Sequence, residues 1–416
     1  STASQPPSPE ISLTGRLHDP PGPAQCGRLA MSHSPSSAPV FNRKNPCPAR
    51  LTSARRLSRD GSPKDTWHYE ISLAGSGLAY EPGDSLAVLP QNCPDLVADT
   101  IKALGCSGTE PVADLDGRTT TLADALTTSC AITLPDRKFL AATASRDPQA
   151  DAVLSPLLAP DQKDKLNDYL HGREMIDILL AFPEARFDPQ EFVGLCRKLQ
   201  IRLYSISSSL RAHPDEVHLT VATVRYETHG RRRKGVASTW LAERTSPGTL
   251  VPCFINPGKG FRLPPPDDET PIILCGPGTG IAPFRAFLEE RRATAARGRT
   301  WLFFGEVSAR TDFFYESEWQ EFLADGTLTR LSTAFSRDQE RKVYVQHRME
   351  EEAAELWDWL SQGAIFYVCG DASRMALDVD KALHKAAETA GGLSPDDAAA
   401  FIQSLRDSKR YRRDVY

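Results

Sequence analysis

No run of about 18 apolar residues occurs in the chain, so nothing in it reads as a transmembrane helix and no membrane partner is expected. Its nine cysteines are odd in number, scattered, and never spaced as CxxC. That excludes a disulfide scaffold and a zinc ribbon, leaves no metal site to expect, and points to a reducing, cytoplasmic compartment. A basic excess is missing too: 49 Lys and Arg face 54 Asp and Glu, for a formal net charge of −5. A nucleic-acid-binding domain needs a clearly basic face, so nucleic acid is excluded as a partner. There is no charged-then-apolar leader of the secretory kind, and no internal repeat. What remains is a folded, water-soluble composition, 40% apolar and 25% charged over 416 residues. That length exceeds one ordinary core and predicts two or three domains.

Residues 1–39 are rich in Pro, Ser and Gly and bury too little to offset ordering entropy, so they read as a disordered leader, with Met31 as a candidate internal start. Regular structure is expected from Val40. Trp67–Leu73 alternates apolar and polar residues as a half-buried strand does. Tyr80–Pro90 reads as a turn, with Pro82 presetting φ and Gly83 tolerating φ > 0, followed by a short apolar strand. From Pro94 to Lys198 the spacing becomes helical, as in Leu96, Val97, Thr100, Ile101 and Leu104. Strand texture returns at Ile201–Ser207 and Val217–Tyr226, and Glu227–Lys234 reads as a hairpin tip before a helix starting near Ala237. The fold class expected is therefore multidomain: an antiparallel β-barrel (40–92 and 197–264) interrupted by a helical insertion (93–196). After the linker Pro264-Pro265-Pro266, strands alternate with helices: 271–275, 282–296, 301–305, 316–323, 328–334, 344–360, 364–369 and 373–390. This predicts an α/β parallel-sheet domain over 265–416.

Five segments carry chemistry. Cys275-Gly276-Pro277-Gly278-Thr279-Gly280-Ile281-Ala282-Pro283-Phe284 follows a buried strand and opens a helix. Glycines let the backbone approach a pyrophosphate and the helix start supplies N–H donors. The spacing is not the strict GxGxxG, and a tight loop is the plain alternative. Ser336-Arg337 and Lys342-Val343-Tyr344-Val345-Gln346 follow a parallel strand, at the end where such sheets bind ligands. Together they suit a ribose 2′-phosphate beside adenine, favouring NADPH over NADH; alone, they are a solvated charged face. Arg202-Leu203-Tyr204-Ser205 alternates its side chains across a strand, offering a ring, a hydroxyl and a cation to a flavin, or merely a strand before a Ser-rich turn. Gly235-Val236-Ala237-Ser238 is a second phosphate cradle or a plain helix start. Cys369-Gly370-Asp371 ends a buried strand, and the chain closes on Arg410–Tyr416; taken singly, the cysteine is core and the last tyrosine carries no message.

In order and wording these segments resemble the reductase half of the diflavin reductases, a family that includes cytochrome P450 reductase and the NADPH-dependent sulfite reductase flavoproteins. The likeness is greatest to the sulfite reductase flavoprotein (alpha) component. RLYSISSS, GPGTGIAPFRAF, SRDQERKVYVQ, YVCGDASRMALDVD and RYRRDVY carry it, across roughly 40–416. It implies a ferredoxin–NADP reductase-like fold with FAD as cofactor and NADPH as substrate. It implies FAD contacts at Arg202, Leu203, Tyr204, Ser205, Thr220, Val221, Ala222, Tyr226, Gly235, Val236, Ala237, Ser238, Thr133 and Tyr416. Tyr204 would lie against the isoalloxazine, Arg202 would meet the pyrophosphate, and Tyr416 would shield the flavin face that nicotinamide must enter. It implies NADPH contacts at Gly278, Thr279, Ser336, Arg337, Lys342, Tyr344, Gln346 and Asp378.

Ser205, Cys369 and Asp414 correspond to a catalytic polar trio on the hydride path. Positive charge develops on nicotinamide as hydride leaves C4, and a carboxylate stabilises it. A hydroxyl can hydrogen-bond flavin N5, and a small polarizable thiol can position the ring. The family carries a flavodoxin-like domain ahead of this region, whereas only residues 1–39 precede it here. No FMN is therefore expected on this chain, and the onward carrier should be a separate flavodoxin or ferredoxin, or a haem/iron–sulfur sulfite reductase subunit. The leading expectation is NADPH-dependent sulfite reduction. A general NADPH–ferredoxin or flavodoxin reductase and a non-catalytic flavin-binding sensor or scaffold are the alternatives. The run Arg231-Arg232-Arg233-Lys234 is expected either to steer an acidic carrier or to be an exposed turn.

Overall fold

The computed structural model describes residues 40–416; the expected leader over 1–39, Met31 included, lies outside the described residues. The first strands are β1 (Cys47–Arg56), β2 (Thr66–Ser72) and β3 (Ser85–Val88). Before β3 the turn needs Gly83 twice over. Its φ is +95°, and a Cβ there would stand 1.8 Å from the Phe261 carbonyl oxygen.

The helical block comprises α1 (Pro94–Leu104), α2 (Leu122–Thr128), α3 (Arg137–Ala144), α4 (Pro148–Leu157), α5 (Lys163–Leu170), α6 (Met175–Ala181) and α7 (Pro189–Leu195). Asp147-Pro148 and Asp188-Pro189 start two of them. Each aspartate accepts from first-turn N–H groups, and each proline takes a position that needs no N–H. A small hairpin inside the block, β4 (Pro111–Ala113) with β5 (Thr119–Thr121), has too few residues to show a strand period in the sequence.

The barrel then resumes with β6 (Arg202–Ser205) and β7 (Glu216–Ala222). A hairpin of β8 (Arg225–Thr228) and β9 (Arg231–Lys234), the helix α8 (Val236–Arg244) and β10 (Leu250–Asn256) follow. The antiparallel order is β6-β3-β10-β1-β2-β7. A bridge between Ile206 and Leu219 joins the two outer strands and closes the sheet around Leu51, Tyr69, Ile71, Leu86, Val217, Leu219 and Val251.

The second sheet is wholly parallel. It contains β11 (Ile272–Cys275), β12 (Thr300–Glu306), β13 (Arg330–Phe335), β14 (Ile365–Gly370) and β15 (Tyr411–Val415), in the order β13-β12-β11-β14-β15. Helices α9 (Ala282–Ala293), α10 (Ala309–Asp312), α11 (Glu316–Ala324), α12 (Val345–Glu351), α13 (Ala353–Ser361), α14 (Met375–Thr389) and α15 (Pro395–Asp407) connect them. The single helix expected over 344–360 breaks at Glu352. Its carboxylate is drawn off the helix line to Arg330 (2.8 Å) and the Ser332 hydroxyl (2.6 Å). The order of strands reverses between β11 and β14, which is the topological switch point where open α/β sheets bind ligands.

A buried polar network joins barrel to sheet. The guanidinium of Arg285 on α9 donates to the Ser207 carbonyl (2.7 Å) and pairs with Glu289 (2.8 Å) and Glu318 (2.6 Å). Tyr315 Oη meets His68 Nδ1 at 2.9 Å and Thr220 Oγ1 at 2.6 Å. Glu289 also accepts the Ser209 N–H at 2.8 Å. His68 is therefore buried although it lies on the outer face of β2. Desolvation, outweighing the bond to Glu70, lowers its pKa to about 4. Among the described residues no helix is long and apolar enough to cross a membrane.

Candidate functional site

The end of β6 meets the ends of β14 and β15. Parallel pairing sets Cys369 beside Asp414 and Gly370 beside Val415. Ser205 Oγ donates to Asp414 Oδ2 at 3.0 Å, and Cys369 Sγ lies 3.9 Å from the same oxygen. Three residues 45 to 209 positions apart in sequence thus share one carboxylate oxygen. Burial, with the Asp414 charge adding to it, pushes the Cys369 thiol well above its usual pKa, so it stays protonated. The final residue continues the edge. The Tyr416 N–H donates to the Gly370 carbonyl (3.1 Å), and its hydroxyl meets Thr279 Oγ1 at 3.0 Å, while the side chain stays 65% exposed.

The glycine turn after β11 packs straight onto this junction. A Cβ on Gly280 would stand 2.1 Å from the Cys369 carbonyl oxygen, and one on Gly276 would stand 2.5 Å from the Phe284 ring. Only glycine lets the turn sit so close. Beside it opens a cavity of about 480 Å³ that brings together Gly278, Ser336, Tyr344, Gln346 and Asp378. Thr279, Arg337 and Lys342 do not line it. Arg337 and Lys342 are exposed, and among the described residues neither has an ion-pair partner.

Sequence reasoning missed Lys64, Glu306 and Arg374 and gave no contact to Asp371; all four line the same cavity. Glu306, Asp371 and Arg374 sit at or just beyond strand C-termini, a position that could have flagged them. Lys64 comes from the β1–β2 loop of the barrel, and no periodicity marks it.

A second cluster forms at the start of α8. Gly235 caps the helix without a side chain, and a Cβ there would come within 2.7 Å of Ser238 Oγ and 2.8 Å of Val224 Cβ. A cavity of about 300 Å³ places Thr133 of the helical block beside Val236, Thr239, Arg232 and Lys234. Leu203 and Tyr226, at 53% and 51% exposure, leave apolar side chains uncovered on this part of the barrel. Tyr204 packs on the barrel core, where burial raises its phenol pKa. Arg202 donates to the carbonyls of Gln200 (3.1 Å) and Ile201 (3.3 Å). Ala222 ends β7, and Ala237 is buried in the first turn of α8.

The Thr220 hydroxyl is bonded to Tyr315, and the Val221 side chain lies in the barrel core. One expectation changes. The run 231–234 is neither a hairpin tip nor a free basic patch. It forms β9, and the turn falls at His229-Gly230 instead, both at positive φ. Arg233 is 1% exposed and pairs with Glu174 and Asp177, each at 2.9 Å, while Arg231 pairs with Asp99 (3.2 Å) and Lys234 with Glu243 (2.8 Å). The charges of Arg231, Arg233 and Lys234 are thus neutralised within the chain, and only Arg232 of the run is exposed without an ion-pair partner among the described residues.

A closed barrel with a glycine-started helix, an α/β sheet with a glycine turn at its switch point, and a polar junction between them give the chain a ferredoxin–NADP reductase-like fold. An FAD binding domain family matches residues 39–240, and an oxidoreductase NAD-binding domain family matches residues 273–381. The chain is 46% identical over 377 residues to the sulfite reductase (NADPH) flavoprotein alpha-component of Bacillus subtilis (strain 168), covering 90% of this chain and 62% of that protein. The protein of the same name from Vibrio parahaemolyticus serotype O3:K6 (strain RIMD 2210633) is 45% identical over 390 residues, 94% of this chain and 61% of that one. The chain thus carries an FAD binding domain and an oxidoreductase NAD-binding domain like those of these flavoproteins, and it spans about 62% of the length of its relative from Bacillus subtilis.

Proposed function

We propose that the chain is an NADPH oxidoreductase that passes electrons from NADPH through FAD to a separate acceptor, and that this acceptor is the haem/iron–sulfur subunit of an assimilatory sulfite reductase. The observation that carries this reading is the convergence of Ser205, Cys369 and Asp414 at the junction of the two sheets, with Tyr416 laid across the glycine turn. The names of the relatives support the sulfite branch. Eight unpaired cysteines among the described residues support a cytoplasmic setting.

The cradle at Gly235, where a Cβ would collide with Ser238, and the uncovered Leu203, Tyr226 and Tyr416 fit a flat ring joined to a pyrophosphate. Arg202, Tyr204, Ser205 and Tyr226 would hold FAD on the barrel, with the first-turn N–H groups of Val236, Ala237 and Ser238 turned to its phosphates and Thr133 adding a hydroxyl. FAD, when bound, supplies the capacity to take a hydride and to release electrons singly. Gly278, Thr279, Ser336, Tyr344, Gln346 and Asp378 would hold the dinucleotide, with Arg337 and Lys342 at the rim for its 2′-phosphate.

Asp414 holds a negative charge where the nicotinamide becomes positive. Ser205, oriented by its bond to Asp414, presents its hydroxyl at the same junction. Cys369, kept as a thiol, fills the space behind without reacting. Tyr416 occupies the entrance and must swing off Thr279 to admit nicotinamide. In domain terms we assign FAD to 40–92 with 197–264, the connecting helices to 93–196, and the dinucleotide to 265–416.

Anaerobic titration of the FAD-loaded chain with NADPH, and separately with NADH, tests this. Bleaching of the flavin absorbance by NADPH with a much weaker response to NADH is the expected result. A bound flavin that NADPH cannot reduce would replace the reductase reading with a flavin-binding scaffold. Reduction of flavodoxin or ferredoxin, but not of a sulfite reductase haemoprotein, would redirect the acceptor.

A further inference from the structure

Glu306 ends β12 at the mouth of the dinucleotide cavity, yet its side chain is only 2% exposed. Its Oε1 lies 2.7 Å from Lys64 Nζ, and its Oε2 accepts the Val307 N–H at 2.8 Å. A Cβ on Gly278 would stand 3.4 Å from that Oε1, so the carboxylate lies directly against the glycine turn. The other two carboxylates of the cavity are engaged along its edge. Asp371 accepts from Ser373 Oγ (2.7 Å) and the Ser373 N–H (2.9 Å), and Asp378 pairs with Lys381 (3.1 Å). Glu306 is thus the one carboxylate of the three held by a cation that itself lines the cavity. A buried negative charge is an odd lining for a site meant for a polyanion, unless it has work to do on the cation beside it.

We propose that Glu306 competes with the dinucleotide for Lys64 and thereby holds down the affinity of the site. The inference rests on the dinucleotide reading above. Lys64 is neutralised by Glu306 across the barrel–sheet boundary. An anionic ligand gains Lys64 only by drawing it from, or sharing it with, that carboxylate, so part of the attraction is spent before it is felt. Oxidised and reduced dinucleotide carry the same phosphates and are weakened alike. The site then releases product readily instead of being held by it, which is what turnover asks of binding energy common to both states. Glu306 is a positioning residue in this scheme, acting through Lys64.

The test is the dissociation constant of NADP+ on the FAD-loaded chain, by titration calorimetry, for wild type, E306Q, E306D, K64M and the double variant E306Q/K64M. E306Q is expected to bind NADP+ roughly tenfold more tightly, E306D to stay near wild type because it keeps the charge, and K64M to bind more weakly. Tightening is a change that mere loss of structure would not produce. In the K64M background the gain from E306Q should vanish. A full gain there would mean that Glu306 simply repels the ligand, and would overturn the competition. Unchanged or weaker binding by E306Q would also overturn it. Should E306Q not fold, unchanged binding by K64M would do the same. A wild-type chain that binds no NADP+ would overturn both this inference and the dinucleotide reading; a wild type that binds, with E306Q unaltered, would fail this inference alone.

Discussion

Replacing Asp414 by Asn keeps the shape of the junction and removes its charge. In the native chain Asp414 Oδ2 accepts from Ser205 Oγ at 3.0 Å, and the side chain is partly buried between β14 and the end of β6. The amide can still accept from Ser205, so the loss is confined to the electrostatic term. A hydrogen bond to a charged group is worth about 1.5–3 kcal/mol, and the positive charge that Asp414 is proposed to oppose appears only as hydride leaves. The barrier should therefore rise by about that amount, slowing the step by about 10- to 150-fold. Partial exposure of Asp414 places the expectation toward the lower end of that range. Stopped-flow mixing with NADPH under anaerobic conditions, followed at the flavin absorbance, reads the limiting rate separately from the affinity. The reasoning predicts a fall in the limiting rate with little change in the NADPH concentration for half-saturation. An unchanged limiting rate, or a loss confined to affinity, would refute the role given to Asp414.

Truncating Arg337 and Lys342 to Ala removes two exposed cations that have no ion-pair partner among the described residues, and the ratio of kcat/KM for NADPH over NADH should fall by about tenfold or more per charge-assisted bond lost. Arg233→Ala leaves Glu174 buried without its cation and Asp177 with only the longer contact to Arg231 (3.6 Å); a cost toward the lower end of about 3–5 kcal/mol is expected in denaturant unfolding. His68, whose pKa falls to about 4 on folding from an ordinary value near 6.5, binds its proton more readily unfolded than folded. Its contribution is thus fully present above pH 6.5 and is lost as the pH drops toward 4, a total of about 3 kcal/mol. The stability of His68→Asn, followed by urea unfolding, should depend less steeply on pH across that window; an equally steep dependence would show that His68 is not its source.

The strand alternation of β2, the helical spacing of α1 and the strand–helix alternation after Pro266 are visible in the sequence because each reports a local repeat of burial. The glycine turns proposed as phosphate cradles are visible for a similar reason. Gly276–Gly280 and Gly235 stand between a strand and a helix, where glycine lets the backbone turn tightly. Other features have no local signature. β15 has only five residues, too few to show a period, and becomes a strand only by pairing with β14. The basic run 231–234 looked free because its carboxylates, Glu174, Asp177 and Asp99, lie more than fifty residues earlier in the helical block. Thr220 looked available to a ligand because Tyr315, which claims its hydroxyl, belongs to the other sheet.

The sequence by itself determined the two kinds of sheet and the helical block set into the first of them, which follow from periodicity; the residues proposed to handle a flavin and a dinucleotide come from the resemblance that their motifs carry. Tertiary structure alone decided which of those residues meet. Closure of the barrel at Ile206 and Leu219 and parallel pairing of β15 with β14 bring Ser205 to Asp414 and Asp414 to Cys369. The β1–β2 loop brings Lys64 under Glu306. A contact between residues hundreds of positions apart depends on the summed packing of everything between them, and no local pattern records that sum.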